Sequence, residues 1–371
     1  MHNGRIMNVA KLDISEQMLF ALLKASLHNT DVDTSIFQDV SDDDWQRCYR
    51  LSVIQGVMAL AWDGVVKLPP ELMPTKMLKL NWGAKVLKYE NIYHKYCSTA
   101  IELSNYYSQH GIATMFLKGV GLSALYPIPS HREGGDIDIY TYSADKGKKD
   151  DVEANTLADT LMQEQGIIVN TEHSKHSNFS YKGIPIENHK HFLNIGFCKS
   201  ALEIEKLLRE NMVPEYTILS TGMLLTPPPL FNTLFIAFHA CQHLGNGLSI
   251  HHLCDWAIIL KHYGLIIPET VKDKGFLGGV YAFTNLCNQY LGTSIEIPVD
   301  GSLSTEILNE ILHPKYSAQL PTKSKIGVII YKIKRMLYTH RLKNRVIRIS
   351  LMQRIGSSII FHLRHPKVIF S

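Results

Sequence analysis

Through the first 110 residues, apolar positions recur at helical spacing. Met18, Leu19, Ala21, Leu22 and Leu23 mark one face of a helix over Ser15 to Ser26. Ser41 reads as an N-cap, with Asp42, Asp43 and Asp44 on the positive end of a helix running through Trp45, Cys48, Tyr49, Leu51 and Val53. Pro69, Pro70 and Pro74 interrupt the pattern, and a long helix follows from about Thr75 to His110, stopped by Gly111. The rhythm then shortens. Ala113 to Leu117 is an apolar run that reads as a buried strand ending at Lys118, and Gly119 and Gly121 allow a tight turn. Leu122 to Tyr126 supports one or two helical turns before Pro127 and Pro129 stop them. From Asp136 to Tyr142 apolar and polar residues alternate, as in a strand. A charged loop over Ser143 to Glu153 leads to a helix from Ala154 to Gln165 closed by Gly166, and Ile167 to Val169 reads as the start of another strand. Asn178 to Tyr181 and Ile184 to His189 flank Lys182-Gly183, a hairpin signal. From Lys199 to Leu312 the chain reads as helical again. Pro227-Pro228-Pro229 starts a helix over Leu230 to Leu244, Asn246-Gly247 makes a turn, and a second helix spans Leu248 to Tyr263. The pattern predicts an α+β protein with a small mixed β-sheet core flanked by N-terminal and C-terminal helical regions. The expected divisions are 1–110, 111–198, 199–312 and 313–371.

With 371 residues and 45% hydrophobic content, the chain can build sizeable cores. Its six cysteines, Cys48, Cys97, Cys198, Cys241, Cys254 and Cys287, form no C-x-x-C pair. With no signal peptide at the N-terminus, this suggests a reduced, cytoplasmic protein whose thiols serve as small apolar residues. No uncharged apolar run reaches the length of about 18 residues that a spanning helix needs.

Charge changes the picture at the C-terminus. Residues 311–371 hold 13 Lys and Arg and no Asp or Glu, whereas residues 1–310 hold 25 basic against 34 acidic residues. Lys332, Lys334, Arg335, Arg341, Lys343, Arg345, Arg348 and Arg354 are interleaved with apolar residues including Ile347, Leu351, Ile355, Ile359, Ile360 and Phe361. Such a segment suits an anionic membrane surface, which would put the protein at the inner face of the membrane, and suits nucleic acid less well. The alternative is a basic helical segment packing its apolar face on the acidic remainder.

The chemistry concentrates around Leu117-Lys118-Gly119-Val120-Gly121-Leu122-Ser123 and His131-Arg132-Glu133-Gly134-Gly135-Asp136-Ile137-Asp138. Asp136 and Asp138 project from one strand face while Ile137 and Ile139 point into a core. Adjacent carboxylates repel, and a hard divalent cation such as Mg²⁺, or Mn²⁺, relieves the repulsion. The plainer reading is an exposed edge strand. His173, His176, His189 and His191 follow no familiar metal-ligand spacing and read as cleft-lining or loop residues. His239 and His243 lie four apart on one helix face, so they and Asp255 are candidates for a second metal or phosphate site. The competing reading is a buried network with His243 bonded to Asp255. Trp82, Tyr89, Tyr93 and Tyr96, at helical spacing, read as packing residues rather than a base-stacking platform.

The sequence of apolar strand, Lys118-Gly119, short helix, Arg132 and Gly135-Asp136-Ile137-Asp138-Ile139 resembles the nucleotidyltransferase superfamily with the DNA polymerase β-like fold. More closely, it resembles an uncharacterised bacterial nucleotidyltransferase family, over roughly residues 45 to 262. The superfamily's glycine pair after the first strand is here Gly119-Val120-Gly121, with Ser123 further on. The resemblance implies that Asp136 and Asp138 hold catalytic metal, and that Glu187 (in Glu187-Asn188-His189) stands where the third acid belongs, as metal ligand or base. It also implies that Lys118, Arg132, the Gly119–Gly121 turn and Ser123 bind the triphosphate of an NTP. The acceptor would be a hydroxyl of a small molecule, sugar or protein. Two other readings stay open: an Asp-x-Asp glycosyltransferase using a nucleotide sugar, and a non-catalytic membrane-surface binding protein with a degenerate transferase core.

Overall fold

The computed structural model describes residues 12–145, 151–196, 198–298, 301–316, 324–352 and 355–356. The N-terminal helices start where side chains satisfy their free N–H groups. At α1 (Ile14–His28) the Asp13 carboxylate accepts the Glu16 N–H at 2.9 Å, and the Glu16 carboxylate accepts the Asp13 N–H at 2.8 Å. Ser41 and Asp44 make the same reciprocal pair at α2 (Asp42–Ile54). A third helix, α3 (Met58–Val65), has no counterpart in the sequence reading, because it is apolar almost all round and shows little helical period. The long helix α4 (Lys76–Ser108) follows as expected, and the chain leaves it at Gly111 with φ of +73°.

A six-stranded mixed sheet then forms in the order β3-β4-β2-β1-β6-β5. Its strands are β1 (Ile112–Phe116), β2 (Ile137–Ser143), β3 (His176–Tyr181), β4 (Ile184–His189), β5 (Glu215–Leu219) and β6 (Gly222–Thr226). The single-turn α5 (Val120–Ser123) joins β1 to the segment before β2, and α6 (Val152–Glu164) and α7 (Lys199–Glu210) connect later strands. The β3–β4 hairpin turns at Lys182 and Gly183, both with positive φ, as a two-residue turn matched to strand twist requires. Residues 146–150, the middle of the charged stretch expected as a loop, lie outside the described residues.

Two sequence expectations need correction here. Ile167 to Val169 is not a strand: its end only bridges Asn170 to Asn178, and Ile168 is 89% exposed, with no neighbouring strand to bury it. The stretch 199–312 is not wholly helical, since β5 and β6 fall within it and β6 pairs parallel with β1. These strands are short and partly exposed, so they carry little alternation to read.

One sheet face lies on α4 and α6, where Ile137 and Ile139 pack with Leu103, Tyr107, Ala158 and Met162. The other face carries Met115, Leu117 and Tyr140 into a larger core shared with α1, α3 and the C-terminal helices. Those helices are α8 (Pro229–His243), α9 (Ile250–Tyr263), α10 (Lys274–Tyr290), α11 (Gly301–Leu312) and α12 (Lys325–Val346). The six cysteines are all free and buried, as small apolar residues are. Among the described residues no helix is long and apolar enough to cross a membrane.

Gly121 decides how closely the turn after β1 sits on the sheet. A Cβ there would meet the Phe116 carbonyl oxygen at 2.6 Å, and the Gly121 N–H donates to the Lys118 carbonyl at 3.0 Å. Gly121→Ala should therefore lower stability by about 1–3 kcal/mol, the usual range for overpacking. Urea denaturation, with a lowered midpoint and an unchanged slope, is the measurement that checks it.

Candidate active site

Parallel pairing of β2 with β4 sets Asp138 beside Glu187. Asp136, immediately before β2, completes the group: one oxygen from each of the three carboxylates lies within 4.8 Å of the others. Asp138 is wholly buried and is clamped by two bases. Lys118 Nζ stands 3.0 Å from Oδ2, and His189 Nε2 stands 2.9 Å from Oδ1. Burial alone would raise the Asp138 pKa, but Lys118 and the His189 hydrogen bond hold it down at about 2. Glu187 is likewise pulled well below the carboxylate range against the effect of burial, by His176 Nδ1 at 3.1 Å and His189 Nε2 at 3.6 Å. A carboxylate held so low is a good charge ligand and a poor proton acceptor. Asp136 differs. Burial and the neighbouring Asp138 raise its pKa, and among the described residues no cation lies within ion-pair distance of it.

Lys118 is the matching cation. Burial works to discharge it, yet Asp138 and Asp136 together raise its pKa, so it stays protonated. Lys175, on the loop before β3, is lowered by burial and faces the same carboxylates. Lys118, Asp136, Glu187, Lys175 and His239 line a cavity of about 540 Å³. Lys118, Asp136, His239 and His243 also border a second cavity of about 410 Å³, which reaches His252 and Asp255. The donor set suits a hard divalent cation: three carboxylate oxygens converge, one of them from the unpaired, destabilised Asp136.

The segment preceding Asp136 is tied to three helices by three consecutive residues. His131 contacts Asp63 at 2.7 Å and Glu90 at 2.9 Å. Arg132 grips Asp255 through Nε at 2.9 Å and Nη2 at 2.7 Å, and Tyr126 donates to the same carboxylate at 2.6 Å. Glu133 accepts the Ala59 N–H at 2.8 Å. The aromatic row on α4 works the same way. Trp82 is buried and donates to the Met58 carbonyl, Tyr93 meets the Ser123 hydroxyl, and Tyr96 donates to the Gly135 carbonyl.

Several expectations about individual residues change. Arg132 is buried in a two-point pair with Asp255, so its guanidinium fork is already engaged and its place is structural as well as near the site. Ser123 is buried, donates to the Val120 carbonyl at 2.7 Å and borders none of the cavities above, so it offers no hydroxyl to a ligand there. Gly119 borders the second cavity with φ of +58°, whereas Gly121 is a packing glycine. Asp255 does not join His239 and His243, nor does it bond His243. Its partners are Arg132, Tyr126 and His251, and the imidazole that closes on His239 and His243 is His252. His176 and His189, read as cleft or loop residues, are the direct partners of Glu187 and Asp138. The signal for His189 was its position two residues after Glu187, on the same strand face. Nothing in the sequence set His176 apart from the neighbouring histidines, and Lys175 and His252 were not singled out.

A family model described as an uncharacterised nucleotidyltransferase matches residues 41–292. No curated protein and no solved structure matches the chain.

The Arg132–Asp255 pair yields a pH prediction. Burial would raise the Asp255 pKa, but Arg132, His251 and Tyr126 lower it to about 2 against an ordinary 3.8. Its contribution is thus fully present above the ordinary value and is lost as pH falls through about 2. At neutral pH, Asp255→Asn should cost about 3–5 kcal/mol, since it strands a buried guanidinium. Chemical denaturation of both proteins across acid pH should show that gap narrowing toward pH 2.

Proposed function

Because the chain belongs to this family of uncharacterised nucleotidyltransferases, we propose that it transfers a nucleoside monophosphate from an NTP to an acceptor hydroxyl at the Asp136–Asp138–Glu187 site. The observation that carries this reading is the convergence of three carboxylate oxygens within 4.8 Å beside a partly buried lysine. Mg²⁺ or Mn²⁺ would be held by Asp136, Asp138 and Glu187 and, when bound, would neutralise charge on the triphosphate and align the reacting oxygens. Lys118 stabilises negative charge on the phosphates. Lys175, facing the same carboxylates, adds a second cation at the cavity wall. Glu187 stays anionic, held by His176 and His189. The acceptor oxygen forms a bond to the α-phosphorus, the bond from that phosphorus to the β-phosphate bridging oxygen breaks, and pyrophosphate leaves. The hydroxyl proton passes to Asp136, the one of the three carboxylates whose pKa is raised, by burial and by Asp138. The acceptor class is a small molecule, sugar or protein hydroxyl.

We also propose that α12 rests on an anionic membrane. Val328, Thr339, Leu342 and Val346 are buried on one face of this helix, and the face packs against α10 and α8. Ile326, Ile329, Ile330, Ile333 and Leu337 follow helical spacing on the opposite face and are exposed, Ile326 to 71%. Lys334 and Arg341 lie along one edge of that stripe. The described part of the segment packs one face on the bundle and keeps a second apolar face outward. Arg354, Ile359, Ile360 and Phe361, also part of the membrane reading, lie outside the described residues.

Thermal melting with Mg²⁺ and each ribonucleoside triphosphate tests the first reading. A ligand at a hundred times its Kd should stabilise the protein by about 2.7 kcal/mol, and Asp138→Ala should abolish the gain. The same substitution should slow transfer of label from an α-labelled NTP by about 100-fold or more. Stabilisation by nucleotide sugars alone would instead favour the glycosyltransferase. For the second reading, sedimentation with anionic vesicles should pull down the wild type, lose Ile330→Asp/Ile333→Asp, and weaken with salt. Equal retention of the variant would exclude a role for the stripe.

A further inference from the structure

His239 and His243 stand one turn apart on α8, and His252 comes from the first turn of α9. One ring nitrogen from each lies within 4.8 Å of the other two, and the ring centroids are 4.4, 4.8 and 5.6 Å apart. Among the described residues, no carboxylate lies within ion-pair distance of any of the three. This separates them from His131, His176 and His189, each of which faces an acid. Three imidazoles without a counter-ion cannot be explained as an ion-pair network.

We propose that His239, His243 and His252 form a Zn²⁺ site, separate from the carboxylate site and chemically unlike it. Neutral imidazoles are the donors that zinc takes readily and that Mg²⁺ does not, so the two sites differ in the ions they select. Two features support the assignment. The first is charge state. Burial, then Lys118 and the neighbouring rings, keeps His239 and His252 far below the ordinary histidine range and His243 at about 4, so the nitrogen lone pairs are available at neutral pH. The second is orientation. His252 Nδ1 lies 3.1 Å from the Ser249 hydroxyl in the helix cap. The Ser249 N–H also donates to that nitrogen at 3.2 Å, and the two contacts fix the ring at the start of α9.

Three protein ligands leave a fourth position open, the arrangement of zinc sites that bind water or substrate rather than serve only as struts. The three histidines border the cavity of about 410 Å³ that Lys118 and Asp136 also line. The open position would therefore receive an anionic oxygen of whatever occupies that cavity.

Titration of chelator-treated full-length protein with Co²⁺, a coloured substitute for Zn²⁺, tests this without any activity assay. The expected result is one equivalent giving the intense visible absorption of a four-coordinate, nitrogen-rich site, displaced by Zn²⁺. His239→Asn should weaken binding by at least about 100-fold, while Glu187→Gln should leave it unchanged. His252→Asn repeats the test on the other helix, and only variants with wild-type circular dichroism count. If wild-type protein gives no such absorption, the proposal is wrong. It is equally wrong if Glu187→Gln removes the band and His239→Asn does not, because the ion would then sit at His176, Glu187 and His189, which also lie within 4.8 Å of one another. Neither result bears on nucleotide binding, which the melting experiment reads separately.

Discussion

Much of this molecule follows from the requirement that a buried cluster of negative charge be balanced from within the chain. Asp138 has no exposed surface, and Asp136 and Glu187 stand close by. Isolated carboxylates in such surroundings would protonate rather than stay charged. Lys118 and His189 keep Asp138 ionised, and His176 with His189 keeps Glu187 so. These partners arrive from two separate places, the end of β1 and the β3–β4 hairpin, so the sheet order has to bring them together. Among the described residues Asp136 is left without a close cation, and that imbalance is what the proposed divalent ion would offset.

The scaffold is built to hold that balance still. The segment ahead of Asp136 has little regular structure of its own. His131, Arg132 and Glu133 fix it to α3, α4 and α9 through contacts of 2.7–2.9 Å. An irregular backbone anchored in this way can present a carboxylate reproducibly, which catalysis by alignment requires. The helices before and after the sheet thus bear directly on the site, although none of its three carboxylates belongs to them. The family match over residues 41–292 takes in helices on both sides of the sheet.

Ion choice is the second theme. Oxygen donors gather at the inner strands β2 and β4 and imidazoles on α8 and α9, and both groups open onto cavities that share Lys118 and Asp136. Hard and borderline cations therefore need not compete for the same donors.

Local patterns alone determined a good deal. Apolar periodicity located α1, the Ser41 cap located α2, a glycine closed α4, and Lys182-Gly183 set the β3–β4 turn, because each depends on near neighbours. Alternation put Asp136 and Asp138 on one face, and the likeness to a known motif singled out Glu187. What only the tertiary structure decided were the pairings across the chain. Arg132 looked like a phosphate ligand until Asp255, 123 residues away, proved to occupy its guanidinium. Ser123 looked available until the packing of its turn buried it. His252 replaced Asp255 beside His239 and His243 because the register of α9 against α8 chose which residue faces inward. β5 and β6 were missed because short, half-exposed strands gain their identity from the sheet they join. Partners distant in sequence are selected by packing, and packing leaves no periodic trace in the residues it brings together.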